Sequence, residues 1–98
     1  HLKGQGLGRV FNSNVGYRCF PHRPTLIRKP DVSVVRAGRF PNDEPPDGWY
    51  TLAPDLAVEV HSPTDRVEEV EERVADYRAA GVRAVWLIST RWRTGLVR

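Results

Sequence analysis

Short apolar runs separated by turn-forming residues make up most of this chain. Near-continuous apolar stretches at 56–60 and 82–89 predict two strands, the first of them covered on both faces, and a third strand is predicted at 31–35. Between the first two, apolar residues recur at helical spacing from Val67 to Tyr77 and predict a helix. Strand, helix and strand in this order predict a βαβ crossover with parallel strands, and hence an α/β (α+β) domain on a mixed sheet.

Local signals mark where these elements begin and end. Thr64 or Asp65 can cap the free amides of the helix, and Gly81 is the expected stop at its C-terminus. The strand at 82–89 is almost wholly apolar, so Trp86 is predicted to lie in the core.

Further strands are predicted towards both ends of the chain. Residues 9–11 and 17–20 flank a run of Asn, Ser and Gly, and this arrangement predicts an N-terminal hairpin. Residues 91–95 predict a turn into a last strand. The proline-rich segment 38–54 predicts an ordered loop.

Composition limits the chain to one domain and excludes several classes of protein. With 98 residues, 40% of them hydrophobic, we expect a single domain over 1–98 with one modest core. The longest apolar clusters hold about four residues, far below the roughly 18 needed to span a membrane. The single cysteine excludes an internal disulfide and fits a reducing cytoplasm. Because the chain has no methionine, we expect a fragment truncated at one or both ends.

A small excess of positive charge permits binding to nucleic acid without requiring it. Basic residues number 15 against 12 acids, which gives a net charge of +3. Seven of them lie among aromatic residues in the first half and can follow a phosphate backbone, the alternative being solvated strand faces. These residues are Arg9, Arg18, Arg23, Arg28, Lys29, Arg36 and Arg39.

Glu59 is the most informative polar residue because it interrupts an apolar strand. A carboxylate in that position is costly unless it is protonated, paired or bound to a metal. One interpretation is an edge strand from which Glu59 points into water. The other is a buried or cleft-facing acid with a function.

Asp31 is the predicted partner of Glu59. It opens a strand directly after Pro30, whereas Asp55 lies four residues from Glu59, roughly 13 Å along the same strand. The alternative for Asp31 is a turn residue bonded to nearby backbone. Two carboxylates, a backbone carbonyl and water suit Mg²⁺ or Mn²⁺ better than zinc. Such a site supports phosphodiester hydrolysis, because the metal activates water and neutralises charge on the phosphate.

Four segments of the sequence together carry a family pattern: KPDVSVV at 29–35, PDLAVEVHSP at 54–63, YRAAGV at 77–82 and VWLI at 85–88. In these segments the chain resembles the Uma-two-type restriction endonuclease family of the PD-(D/E)XK nuclease superfamily. The resemblance implies a restriction-endonuclease-like fold, with a mixed central sheet flanked by helices. It implies a metal-dependent endonuclease acting on DNA, in which Asp31 and Glu59 match the two metal-binding acids.

The resemblance places Arg73 at the third catalytic position, where the family carries a lysine on the helix four residues before Tyr77. Arginine stays charged, so it can orient and stabilise but cannot deprotonate water. The alternative is a surface arginine paired with Glu69 or Asp76 at helical spacing. His61, on the same strand face as Glu59, is a further candidate base.

The chain also departs from the family at its front. The N-terminal strand and helix of the family are absent or reduced to residues 1–8, which would expose one edge and one face of the sheet. A homodimer would compensate, and we expect one. Together with Arg73, this departure supports an alternative function, a degraded nuclease fold that binds nucleic acid or protein without turnover.

Overall fold

A five-stranded sheet forms the centre of the computed structural model, which describes residues 7–90 and 94–97. The strands follow the chain order across the sheet, so that β1 and β5 form its edges. The elements are β1 (Gly8–Asn12), β2 (Val32–Arg36), a 3₁₀ turn (Pro41–Asp43), β3 (Leu56–His61), α1 (Val67–Ala79), β4 (Ala84–Ser89) and β5 (Thr94–Val97).

The strand pairing confirms the mixed sheet and the βαβ unit. β3 and β4 are parallel and joined by α1, with Glu59 opposite Leu87. The pairs β1–β2, β2–β3 and β4–β5 are antiparallel. The last strand predicted from 91–95 is therefore present as β5, although 91–93 lie outside the described residues, as do the glycine-rich residues 1–6.

The predicted N-terminal hairpin is wrong in its second strand. β1 pairs with β2, so that Val10 lies opposite Val34, and not with residues 17–20. Tyr17 instead makes isolated bridges with Arg28 and Tyr50. Burial explains the difference, because the bridges place Tyr17 and Tyr50 in the core, a long-range gain that local turn chemistry does not encode.

The core lies on one face of the sheet, beneath α1 and the loops. One cluster joins α1 to the central strands, and a second is built from aromatic rings in edge-to-face contact. The first contains Phe20, Ala57, Val70, Val74, Tyr77, Val82, Val85 and Leu87, and the second contains Tyr17, Val35, Phe40 and Tyr50.

The opposite face of the sheet remains open and apolar. The register places Val10, Val32, Val60 and Trp86 on it, and these residues are 55%, 37%, 42% and 43% exposed. The prediction that Trp86 lies in the core is therefore wrong, and the prediction that β3 is covered on both faces holds at Val58, which is 7% exposed, but not at Val60. The expectation that one sheet face is exposed agrees with the structure.

The two ends of α1 differ in how well the sequence predicted them. The N-cap is Arg66, without a side-chain cap, because Asp65 accepts a hydrogen bond from the Ser62 amide instead. At the other end, Gly81 has a φ of 92°, and its amide donates to the Arg78 carbonyl, as in a helix-terminating motif. In residues 7–90 and 94–97, no helix has the length and apolar character needed to cross a membrane.

Asp76 ties the loop before β2 to α1. Its carboxylate is buried and accepts hydrogen bonds from Arg28 Nε and Nη2 at 3.1 and 2.6 Å and contacts His22 Nε2 at 2.8 Å. Burial alone raises the pKa of Asp76, but the His22 and Arg28 hydrogen bonds and the charges of Arg28 and Arg23 outweigh it. The pKa of this carboxyl therefore lies below its ordinary value.

We expect Asp76→Asn to lower the free energy of unfolding by about 2 kcal/mol near neutral pH, since Arg28 loses its charged acceptor. A lowered pKa stabilises the fold above the ordinary carboxyl pKa, and this contribution disappears as the pH falls through the lowered value. The difference between the two proteins should therefore shrink in acid. Urea unfolding across the pH range tests this. The control is Glu72→Gln, which removes only the exposed contact with Arg23.

Candidate metal and phosphate site

Glu59 is a buried carboxylate in the middle of the sheet. The residue is 5% exposed, and β3 lies between β2 and β4, so the edge-strand interpretation is wrong. Period-two alternation places its side chain on the same face as Ala57, beneath α1. The sheet and the helix therefore enclose this acid together.

Helix α1 supplies two groups to Glu59. The Tyr77 hydroxyl donates a 2.6 Å hydrogen bond to Glu59 Oε2, and Arg73 Nη1 lies 3.6 Å from Oε1. Tyr77 and Arg73 are four residues apart, which places both on one side of the helix. Arg73 therefore faces the sheet as predicted, whereas Asp76 is bonded to Arg28. The buried Nε of Arg73 is a donor without a hydrogen-bond partner among the described residues.

The environment of Glu59 shifts its ionisation in opposing directions. Burial raises the pKa of Glu59, the Tyr77 hydrogen bond and the Arg73 and Arg28 charges lower it, and the Asp31 charge raises it. The net pKa lies above the ordinary value because burial dominates. Burial and the adjacent carboxylate also raise the pKa of Tyr77, so its phenol keeps its proton and remains a donor.

Asp31 lies where the sheet register brings it towards Glu59. Asp31 directly precedes β2, and Val32 is opposite Val58, so continuing the register by one residue would bring Asp31 next to Glu59. Asp31 Oδ2 also accepts a 2.7 Å hydrogen bond from the Val60 amide. This backbone partner belongs to the neighbouring strand, not to a local turn.

The structure places Arg73 and Tyr77 against Glu59, and Asp31 directly before β2, where it is bonded to the backbone of β3. The sequence pattern identified Tyr77 only as an apolar helix position and as the residue four positions after Arg73. Its hydroxyl could have indicated a role in the site, since a buried phenol normally finds a hydrogen-bond partner.

Two other candidate acids and bases have different surroundings. Asp55, at the start of β3, accepts hydrogen bonds from the Arg36 amide and from Arg39 Nη1 at 2.8 and 2.9 Å. His61 is half-buried, and its carbonyl accepts from the Thr90 amide. Asp55 therefore fixes a loop.

The donor set at Asp31 and Glu59 fits a hard divalent cation. Mg²⁺ is commonly held by one or two carboxylates, with water and substrate phosphate completing its shell. No group of three or more His, Cys, Asp or Glu side chains suited to a metal occurs in the described part of the chain. Asp31 and Glu59 could therefore hold Mg²⁺ or Mn²⁺ as a two-carboxylate site.

Much of the basic set in the first half has partners inside the protein. Arg9, Arg18 and Arg39 donate to backbone carbonyls, and Arg23 and Arg28 bind acids on α1. Their charges are thus partly used in holding loops to the core. The set is a weaker phosphate-binding surface than its count of charges suggests.

The likeness to one solved structure covers almost the whole chain. The crystal structure of a protein from Anabaena variabilis ATCC 29413, described as "a putative nuclease belonging to DUF820", is 25% identical and superposes with a TM-score of 0.77. The match covers 99% of this chain and 52% of that one, so this chain spans about half the length of its neighbour. This likeness confirms the predicted α/β fold class.

The comparison with family models is equally extensive, whereas none of the curated proteins matches the chain. The model of the Uma2 family, described as "Putative restriction endonuclease", matches residues 1–97. A match of this extent, with a nuclease-like neighbour of the same fold, agrees with the segments at 29–35, 54–63, 77–82 and 85–88. The chain therefore belongs to the Uma2 family of restriction endonuclease-like proteins.

Proposed function

We propose that this protein is a metal-dependent endonuclease that hydrolyses phosphodiester bonds in DNA. The observation that carries the proposal is the buried carboxylate of Glu59, with Asp31 opposite and the Arg73 cation beside it. Buried acids with shifted pKa values and specific charged partners are typical of functional sites. Membership of the Uma2 family and the nuclease-like neighbour support the reaction class.

Each residue of the proposed site has a distinct role, in an arrangement of the PD-(D/E)XK type. Asp31 and Glu59 hold Mg²⁺ or Mn²⁺, which when bound supplies an activated water and neutralises phosphate charge. Arg73 binds and orients the phosphate through its guanidinium group, which lies beside Glu59 on a side chain that is 26% exposed. Arginine remains protonated, so Arg73 stabilises negative charge and does not take up a proton.

The proposed setting is the cytoplasm, where DNA is accessible and thiols remain reduced. The lone Cys19 is half-buried and free, and burial raises its pKa to about 11, which makes the thiol unreactive. A reducing compartment therefore matches the cysteine usage of the chain.

We expect Glu59→Gln and Asp31→Asn each to lower plasmid cleavage in Mg²⁺ or Mn²⁺ by at least about 100-fold, because a metal ligand matters at least as much as its supporting groups. The exposed acid Asp47 provides the matched control as Asp47→Asn. Cleavage that survives in both site variants would contradict the proposal.

Stability supplies an independent readout for the same Glu59→Gln variant. Glu59 has a raised pKa, so its contribution to stability is present at low pH and is lost as the pH rises through that pKa. Gln has no such titration. We therefore expect the melting temperature of the variant, relative to the natural chain, to rise as the pH increases from acid to neutral. If the difference in melting temperature does not change with pH, ionisation of Glu59 does not destabilise the fold.

Arg73 at the lysine position supports the second candidate function, a nuclease fold that binds nucleic acid or protein without cleaving. We expect Arg73→Lys to cleave DNA at least as fast as the natural chain, since lysine can also assist proton transfer. Arg73→Ala should be about 10- to 100-fold slower. If neither the natural chain nor Arg73→Lys cleaves, yet both bind DNA with steep salt dependence, the binding function is the correct one.

We further propose that the protein forms a homodimer through the open sheet face. This face is largely apolar across β2, β3 and β4, with Arg36 as a charged residue at the end of β2, so two copies can meet through its apolar part. Its five strands span about 24 by 17 Å, or about 400 Å² per copy. That area is small for a stable complex, so the dimer should be weak and concentration-dependent.

Sedimentation equilibrium tests the dimer. We expect Trp86→Lys to shift the protein to monomer, since a charge would be buried at the centre of the interface. The control is Val67→Lys, because Val67 is 72% exposed on α1. Identical association of both variants, or a monomer at all concentrations, would overturn the homodimer.

A further inference from the structure

Tyr77 is the one hydroxyl in direct contact with Glu59 among the described residues. Its side chain is fully buried, and its 2.6 Å bond to Oε2 is short, as expected for a donor facing a carboxylate. The Uma2 pattern and the proposed reaction do not by themselves give this hydroxyl a role.

The two oxygens of Glu59 have different surroundings. Oε2 accepts the hydrogen bond from Tyr77, whereas Oε1 lies 3.6 Å from Arg73 Nη1, too far for a good hydrogen bond. Fixing one oxygen also fixes the plane of the carboxylate. Oε1 is therefore the oxygen left to meet a cation.

The ring of Tyr77 is itself held in one position. It lies 6.0 Å from the Phe20 ring and packs in the cluster that joins α1 to the sheet. Its backbone carbonyl accepts from the Val82 amide in the turn that ends α1. Next to it, Asp76 anchors this part of the helix to the loop through Arg28. A hydroxyl donor on a ring and a helix that are both held in place can orient the more flexible side chain of Glu59.

We infer that Tyr77 is a positioning residue of the proposed metal site, which fixes Glu59 through Oε2 and presents Oε1 to the divalent cation. This inference rests on the proposed function. Hydrogen-bonding partners of metal-binding side chains commonly change metal affinity about 10- to 100-fold when they are removed.

The test compares Tyr77→Phe with Tyr17→Phe. Tyr17 is also fully buried and shares a 2.7 Å hydrogen bond with Ser33 Oγ, so both variants lose one buried hydroxyl of similar kind. Of these two tyrosines, only Tyr77 contacts Glu59. Calorimetric titration with Mn²⁺ should give about 10- to 100-fold weaker binding for Tyr77→Phe and little change for Tyr17→Phe.

A second measurement needs no metal. Proton NMR of the metal-free natural chain should show the Tyr77 hydroxyl proton as a downfield resonance close to the Glu59 side chain, as expected for a short hydrogen bond to a carboxylate. This resonance should persist in Tyr17→Phe. Its absence from the natural chain overturns the inference.

The two readouts separate this inference from the proposed function. If the Tyr77 hydroxyl resonance is present but the natural chain binds no Mn²⁺, the metal-dependent function fails and the metal half of this inference fails with it. If Mn²⁺ binds the natural chain and Tyr77→Phe equally well, the positioning role is wrong while the metal site stands.

Discussion

The burial of a carboxylate between the sheet and its helix is the constraint on which the rest of the structure depends. An ionised Glu59 at 5% exposure is costly without compensation. The compensation comes from α1, through the Tyr77 hydroxyl and the Arg73 guanidinium. The docking of α1 on β3 is therefore more than apolar packing, because the helix must be rotated about its axis so that Tyr77 and Arg73 both face Glu59. This rotation also assembles the candidate site.

Adjacent residues of α1 perform opposite electrostatic tasks. Asp76 is stabilised in its charged form by Arg28 and His22, and it fastens the loop before β2 to the helix. Tyr77, one residue later, turns towards the sheet and a carboxylate whose charged form is destabilised. Arg28 influences both acids. The Asp76 carboxylate thus stabilises the fold, whereas the buried charge of Glu59 is unfavourable and would be stabilised by a bound cation.

The two faces of the sheet are treated differently. One face is covered by α1 and by loops rich in aromatic residues, whereas the other leaves Val10, Val60 and Trp86 substantially exposed. Exposed contiguous apolar surface of this kind marks an interaction surface in folded proteins. The 98 residues span about half of the similar nuclease-like structure, in which the matched region is accompanied by as much chain again.

The sequence by itself determined the type and position of each central strand and helix, and it identified the one acid that interrupts an apolar strand. Alternation and helical spacing located β2, β3, α1 and β4, Gly81 marked the helix end, and an acid in an apolar run singled out Glu59. Asp31 came from its position at the start of a strand and Arg73 from the family pattern, and the structure places the Arg73 guanidinium beside Glu59. These features are local, because strand and helix periods act over a few residues.

Only the tertiary structure decided which distant segments meet. It paired β1 with β2 instead of with 17–20, left Trp86 exposed, moved the helix cap to Arg66 and gave Tyr77 its acceptor. It also assigned partners to basic residues that the sequence left free for DNA. Such outcomes depend on burial and hydrogen bonding between residues far apart in the chain. The summed free energy of these long-range contacts cannot be read from a local sequence pattern.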